Sequence, residues 1–154
     1  MLQTSGVRLV RVAAHDPPPR QCDTVYTVIQ GSYSAAMAVR YEHRLFARIA
    51  EQLLGLDAQP DDALETCKEY LNIVCGRVIS EIHRQTGRAA RCRTPLYYRQ
   101  QGGLLLPKPI TTSLCYQSDR AEAVEILWMT FDQPALLPSQ KGACAHYEQN
   151  HDRR

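Results

Sequence analysis

Alternation of hydrophobic and polar residues predicts strands in the first third of the chain. The run at 24–30 is rich in β-branched residues, the run at 33–41 alternates, and Gly31-Ser32 lies between them. Two such runs around a glycine-containing pair are typical of a β-hairpin. An earlier alternating run at 7–13 predicts another strand. The three prolines at 17–19 end it, because proline cannot join a central ladder.

The hydrophobic spacing becomes helical in the middle of the chain. Leucine, isoleucine and phenylalanine recur at helical intervals over 42–54, which predicts a first helix. A second, longer helix is predicted to begin at 60–62 and to end at Gly87. In it, Asp62 and Glu65 have the spacing of a capping box. Two consecutive helices therefore follow the hairpin.

Strand patterns return in the last third of the chain. The segment 91–99 contains a proline and is predicted to lie at a sheet edge. Two further strands are predicted at 104–116 and 123–131, joined by a turn at 117–120. This order of elements predicts an α+β fold, an α/β sandwich in which two main helices pack on an antiparallel-rich sheet.

The length and charge of the chain narrow its class. It has 154 residues, a length typical of one domain. We expect a single domain over 1–154, with a core at about 24–131, a strand and proline-rich break at 1–23 and a polar tail at 133–154. The net charge is only +2, which argues against nucleic-acid binding. No hydrophobic run is long enough to cross a membrane and the start lacks a signal-peptide pattern, so we expect a cytoplasmic protein.

Cysteine is the unusual residue type in the composition. The six cysteines are an even number, but a chain of this size without a signal peptide needs no disulfides, so we expect reduced thiols packed as small hydrophobic residues. Close ligand pairs such as C-x-x-C are absent from the sequence, and we expect no metal site. The cysteines are Cys22, Cys67, Cys75, Cys92, Cys115 and Cys144.

The second predicted helix has two different faces. At about 100° per residue, one face is a hydrophobic stripe made of Leu64, Cys67, Leu71, Val74, Cys75, Val78 and Ile82. The opposite face holds Glu65, Glu69, Asn72, Gly76 and His83. Glu69 and Asn72 are about 60° apart around the helix axis and about 4.5 Å apart along it. Their side chains are therefore predicted to project together, away from the core.

Two residues on the polar face are poor helix formers. An exposed glycine inside a helix costs about 1 kcal/mol relative to alanine, and the asparagine side chain competes for backbone hydrogen bonds. Asn72 and Gly76 beside a carboxylate suggest that another molecule docks on this face. The alternative is an ordinary solvated face on which the glycine serves packing within the chain.

The segment EYLNIVCG, which runs from Glu69 to Gly76, resembles a known motif. It is similar to the E-x-x-N-x-x-x-G helix of the CheC/CheX/FliY chemotaxis phosphatases. The preceding hairpin and first helix also resemble that family, so the resemblance covers about residues 24–131. The chain carries one E-x-x-N motif, since the first helix lacks the matching asparagine. A single motif suggests the CheX-like branch of the family, whose members resemble strand-paired homodimers.

The resemblance implies hydrolysis of the aspartyl phosphate on a phosphorylated CheY-like response regulator. By analogy, Asn72 would orient the attacking water and Glu69 would contact a lysine of the regulator, and these are the candidate catalytic residues. Glu65, Gly76 and His83 are the candidate partner-binding residues. The chain needs no cofactor of its own, because the required Mg²⁺ would belong to the regulator. The alternative is a non-catalytic CheX-like module that binds a regulator or dimerises without hydrolysis.

Other sites are less favoured by the sequence. A cysteine hydrolase needs a thiolate beside a histidine, but Cys75 lies on the hydrophobic face and His83 on the polar one. The chain has 15 arginines against 3 lysines. Several follow the long helix and form either a solvated edge or a contact for an acidic regulator surface. They are Arg84, Arg88, Arg91, Arg93 and Arg99.

Overall fold

A computed structural model describes residues 6–13, 22–55, 59–98 and 112–131. These residues form an antiparallel sheet of seven strands and two helices, which confirms the predicted α+β fold. The strands are β1 (Leu9–Val12), β2 (Cys22–Gly31), β3 (Ser34–Glu42), β4 (Ala90–Cys92), β5 (Leu96–Tyr98), β6 (Thr112–Ser118) and β7 (Ala123–Phe131). The helices are α1 (His43–Leu54) and α2 (Pro60–Thr86).

The β2–β3 hairpin lies inside the sheet, whose strand order is β1-β6-β7-β3-β2-β4. Val25 faces Val39 across this hairpin, which confirms the predicted pair of strands around Gly31-Ser32. Both β4 and β5 pair with β2, at opposite ends of its outer side. The predicted edge segment is therefore confirmed, and Pro95 lies in the break between its two short strands.

Both helices pack on the same face of the sheet. Val25 and Ile29 of β2 and Val39 of β3 are fully buried beneath them. Phe46 of α1 contacts Tyr41 of β3 edge to face, with ring centroids 4.7 Å apart. This contact anchors α1 and leaves α2 to cover the part of the sheet next to β4 and β5.

The start of α2 at Pro60 confirms the predicted start at 60–62, but the predicted capping pair is not the one observed. The helix begins at Pro60, which suits the first helical position because its missing N–H needs no partner there. The backbone N–H of Gln59 donates to the carboxylate of Asp62. The predicted Asp62–Glu65 capping pair is therefore wrong, since Asp62 is the third helical residue rather than the cap. Gly87 ends the helix in a left-handed conformation with φ 71°, as predicted.

A buried arginine joins α1 to the turn between β6 and β7. Arg48 donates to Glu122 at 3.2 Å from Nε and to Asp119 at 3.1 Å, and Ser118 also donates to Glu122. The hydrogen bond from Arg48 lowers the pKa of Asp119. Burial raises the pKa of Glu122, but the bonds from Arg48 and Ser118 outweigh it, so the pKa lies below its usual value. Ala121 has a positive φ of 64°, which this network holds in place.

One sequence expectation about the cysteines is wrong. Cys75 of α2 and Cys92 of β4 form a disulfide, with Cα atoms 6.9 Å apart. Spacing along the chain did not indicate this pair, because the two residues are 17 apart and come together only when β4 packs beside α2. Among the described cysteines, Cys22, Cys67 and Cys115 are not part of a disulfide.

Some predictions lie outside the described residues. They are the first part of the strand predicted at 104–116, the proline-rich break and the polar tail. Where β6 is described, it continues to Ser118, two residues beyond its predicted end. None of the described helices is long and apolar enough to cross a bilayer.

Candidate functional site: the outer face of the long helix

The buried side of α2 determines which residues face outward. Cys67, Leu71 and Cys75 are fully buried against the sheet, at intervals of four residues. Glu69 and Asn72 fall between these positions, and both are exposed. The helix therefore presents the predicted Glu–Asn pair to the outside.

All five residues that the sequence indicates share this exposed surface, which we call the outer face of α2. At about 100° per residue, they lie within about 60° of each other around the helix axis. With a rise of about 1.5 Å per residue, they extend over about 27 Å. The members are Glu65, Glu69, Asn72, Gly76 and His83. A convex surface of this length fits another macromolecule better than a small molecule, which binds in concave sites.

The two central residues of the outer face are available to a partner. Within the described part of the chain, the side chains of Glu69 and Asn72 make no hydrogen bond or ion pair. Glu65 differs, because Lys68 donates to its carboxylate at 2.7 Å. The carboxylate of Glu69 and the carboxamide of Asn72 together offer acceptors and a donor at one place on the helix.

Gly76 is not required by the packing of this chain. A Cβ atom built at this position meets nothing within 4 Å. Its φ is not in the left-handed region, so the backbone conformation does not demand glycine either. Because alanine would be more stable by about 1 kcal/mol here, packing and backbone geometry leave the glycine unexplained.

Contacts on both flanks hold α2 in place. Tyr70 packs against Phe46 of α1, with ring centroids 5.8 Å apart, on one side of the helix. The Cys75–Cys92 disulfide ties the helix to β4 on the other side. Glu69 and Asn72 are therefore displayed from a helix fixed by the sheet, by α1 and by the disulfide. The sequence does not indicate the last of these contacts, because no spacing signal marks the two cysteines as a pair.

The arginines in the last turn of the long helix and just after it make contacts within the chain. Arg84 donates to Glu81 at 2.9 Å, and its hydrogen bond lowers the pKa of the Glu81 carboxyl. Arg88 donates to the carbonyl of Ser32 at 2.6 Å and lies 5.2 Å from the centre of the Tyr33 ring.

The other arginines of this run are placed differently. Arg93 donates to the side chain of Gln30 at 2.9 Å. Arg91 is exposed, and Arg99 lies outside the described residues. Contacts within the chain thus account for Arg84, Arg88 and Arg93, which favours the solvated edge over a free basic patch.

The described residues hold no other candidate site of the kinds considered. Residues 6–13, 22–55, 59–98 and 112–131 contain no group of three or more His, Cys, Asp or Glu side chains arranged to hold a metal. Cys75 cannot act as a nucleophile while it is bonded to Cys92. Helix α1 contains no asparagine, so it does not carry a second Glu–Asn pair.

Comparison with known proteins gives structural matches. No family model and no curated protein matches this chain. A CheX chemotaxis protein from Desulfovibrio desulfuricans superposes with a TM-score of 0.67 at 13% identity, covering 84% of this chain and 90% of that one. CheX from Vibrio vulnificus gives a TM-score of 0.63 at 16% identity, covering 82% and 87%.

A third match is the CheX of a CheX–CheY–BeF3–Mg²⁺ complex from Borrelia burgdorferi. It has a TM-score of 0.54 at 14% identity, covering 70% of this chain and 74% of that one. CheC-like and FliY chemotaxis proteins also match with probability 1.00. The resemblance first indicated by the motif helix is thus confirmed by the structure, and the chain has the fold of the CheC/CheX/FliY chemotaxis proteins.

Proposed function

We propose that this protein accelerates hydrolysis of the aspartyl phosphate on a CheY-like response regulator in chemotaxis or two-component signalling. The observation that supports this most is the exposed Glu69–Asn72 pair, which has no partner within the described residues and is displayed on an anchored helix. The fold match to a CheX crystallised with CheY supports the choice of partner. The outer face of α2 would dock against the phosphorylated site of the regulator.

The chemistry asks little of the phosphatase except positioning. An acyl phosphate is already reactive, so placing a water in line with the phosphorus and excluding other solvent supply most of the catalysis. The carboxamide oxygen of Asn72 would accept a hydrogen bond from this water, and its N–H would donate to a phosphoryl oxygen. The water oxygen bonds to phosphorus while the bond to the aspartate oxygen breaks. The aspartate leaves as a carboxylate, and the water protons stay with the released phosphate.

Glu69 would hold the two proteins in register. Its carboxylate lies one helical turn before Asn72 and is exposed, so it can accept a charge-assisted hydrogen bond from a lysine of the regulator. Glu65, Gly76 and His83 would extend the contact along the helix. We expect the Mg²⁺ of the reaction to be held by the regulator, and this chain to act as a cytoplasmic homodimer.

The decisive experiment measures phosphate release from a phosphorylated regulator of the same organism. We expect Asn72→Ala and Asn72→Asp to remove the acceleration, since alanine lacks the carboxamide and aspartate lacks its donor. Gln85→Ala is the matched control, because Gln85 is exposed on the same helix but lies about 140° around the axis from Asn72. It should release phosphate at the wild-type rate.

Binding measurements separate catalysis from docking. Glu69→Lys should weaken regulator binding in a titration, whereas Asn72→Ala should still bind. Wild-type release rates in Asn72→Ala would refute the catalytic role. If the wild-type protein binds a phosphorylated regulator but no regulator loses phosphate faster, the chain is a non-catalytic binding module.

A further inference from the structure

The disulfide lies next to the Glu–Asn pair. Cys75 follows Asn72 by three residues, so it lies about 60° around the axis from Asn72, on the flank of the outer face. Its partner Cys92 is the last residue of β4, the strand beside α2. The bond therefore joins the helix that carries the candidate site to an edge strand of the sheet.

The disulfide ties together two segments that have little other burial. Ile79 is the last buried residue of α2, and the helix continues for seven residues beyond it, of which only Ile82 is half-buried. Strand β4 has three residues, and none of them is fully buried. Segments with few buried contacts open locally at low free energy. The bond thus adds a covalent restraint to this end of the helix, beside the pairing of β4 with β2.

The two cysteines of the disulfide also differ in burial from Cys22 and Cys67. Cys75 is fully buried, but Cys92 is half-buried and can be reached by a small or protein thiol. Cys22 and Cys67 are buried. Burial raises the pKa of Cys22 to about 11, and it also raises the pKa of Cys67, so these thiols do not compete in exchange.

A response-regulator phosphatase acts inside the cell, where a persistent disulfide is unusual. Disulfides in that compartment are mostly catalytic or redox-sensing. We propose that the Cys75–Cys92 disulfide is a redox switch that sets the activity of the outer face of α2. This inference rests on the proposed function, to which it adds regulation.

The switch opens by exchange with a dithiol reductant. A thiolate of the reductant attacks Sγ of Cys92, the cysteine of the pair that is not fully buried, and the bond to Cys75 breaks. Cys75 leaves as a thiolate and takes up a proton. The second thiol of the reductant then attacks the mixed disulfide and releases Cys92 as a thiol. The protein gains two electrons and two protons, and the reductant leaves as a disulfide. A disulfide oxidant reverses each step.

Opening the bond should loosen the end of α2 and β4. A disulfide that closes a loop of this length restrains local opening by up to about 100-fold, and we expect hydrogen exchange at residues 76–92 to rise by roughly 10- to 100-fold on reduction. This segment includes Gly76 and His83 of the outer face, so a loosened end holds the docking surface in its binding geometry for a smaller fraction of the time. Regulator affinity and the dephosphorylation rate should fall by the same fraction.

The test compares the full chain in its oxidised and reduced forms. Dithiothreitol and reduced thioredoxin serve as reductants, and mass spectrometry identifies the linked Cys75 and Cys92 peptides. Hydrogen exchange, regulator titration and phosphate release are then measured on both forms. Cys92→Ala removes the bond while leaving the buried Cys75 in place. Cys115→Ala is the control, because Cys115 is a half-buried free thiol.

If the Cys75–Cys92 bond is a redox switch, reduced thioredoxin should open it in the folded protein. Opening the bond should also speed hydrogen exchange at residues 76–92 and lower the regulator affinity and the dephosphorylation rate several-fold. Cys92→Ala should match the reduced protein under both conditions, and Cys115→Ala should match the wild type. The proposal is overturned if the bond opens only in denaturant, or if opening changes neither exchange nor affinity. If neither form acts on a regulator, the proposed function fails, and the thioredoxin and exchange results alone decide the switch.

Discussion

Substitutions at Gly76 should raise the stability of this protein and weaken its binding to a regulator. Because an exposed glycine within a helix costs about 1 kcal/mol relative to alanine, Gly76→Ala should raise the free energy of unfolding by about that amount. No clash reduces this gain, since a Cβ atom would meet nothing within 4 Å. For a chain of this size the melting temperature should rise by about 3 °C.

The same substitution should weaken regulator binding if a partner approaches the helix closely. Overpacking a contact by a few methylene groups costs about 1–3 kcal/mol, which is about 5- to 150-fold in affinity. Leucine has nearly the helix propensity of alanine but a much larger side chain. Gly76→Leu should therefore keep most of the stability gain and lose more affinity than Gly76→Ala.

The measurements are denaturant unfolding followed by circular dichroism, and titration of the phosphorylated regulator with each variant. Affinity should fall with side-chain volume while stability stays above that of the wild type. An unchanged affinity in Gly76→Leu would refute the idea that a partner approaches at this glycine. A loss of stability in Gly76→Ala would refute the reasoning about packing, because it would show a close approach within the chain.

Three further predictions concern stability. Asn72→Ala should be at least as stable as the wild type in thermal unfolding, since alanine is the better helix former at this exposed position. Arg48→Ala should lower the free energy of unfolding by about 3 kcal/mol in a denaturant titration, because it leaves the buried carboxylate of Glu122 without its arginine. The double variant Arg48→Met with Glu122→Gln should recover part of this loss. The pKa values of Asp119 and Glu122 are lowered in the folded state, which stabilises the folded protein at pH values above the unfolded carboxyl pKa of about 4. The free energy of unfolding should therefore fall as the pH drops below about 4. It should fall less in the double variant, Arg48→Met with Glu122→Gln.

The orientation of α2 was predictable from local information. Hydrophobic residues at 67, 71 and 75 define a buried stripe by period alone, and the structure buries all three fully. The outward direction of Glu69 and Asn72 follows from that stripe. The hairpin was equally predictable, because strand alternation and a glycine turn are encoded within about twenty neighbouring residues.

The parts that were not predictable depend on contacts between distant segments. Arg48 reaches Glu122 across 74 residues of sequence, and a helix pattern only shows that position 48 lies near the buried side. Cys75 meets Cys92 because the strand after α2 returns along β2, so a search for closely spaced cysteine pairs could not find it. Both contacts depend on the order of the strands in the sheet, which the hydrophobic pattern of each helix or strand does not determine.

Strong anchoring explains how α2 can carry residues that disfavour a helix. Asn72 and Gly76 together cost about 1.5 kcal/mol of helix propensity. Burying Leu71 alone contributes about 1.5–3 kcal/mol, and the disulfide adds a restraint that needs no help from local propensity. The unfavourable helix propensity of Asn72 and Gly76 is therefore offset by the contacts of the buried side of α2 and by the disulfide. Since loss of the disulfide removes one of these supports while the cost of Asn72 and Gly76 stays, the poorly buried C-terminal end of α2 should be the part of the helix most sensitive to opening of the disulfide.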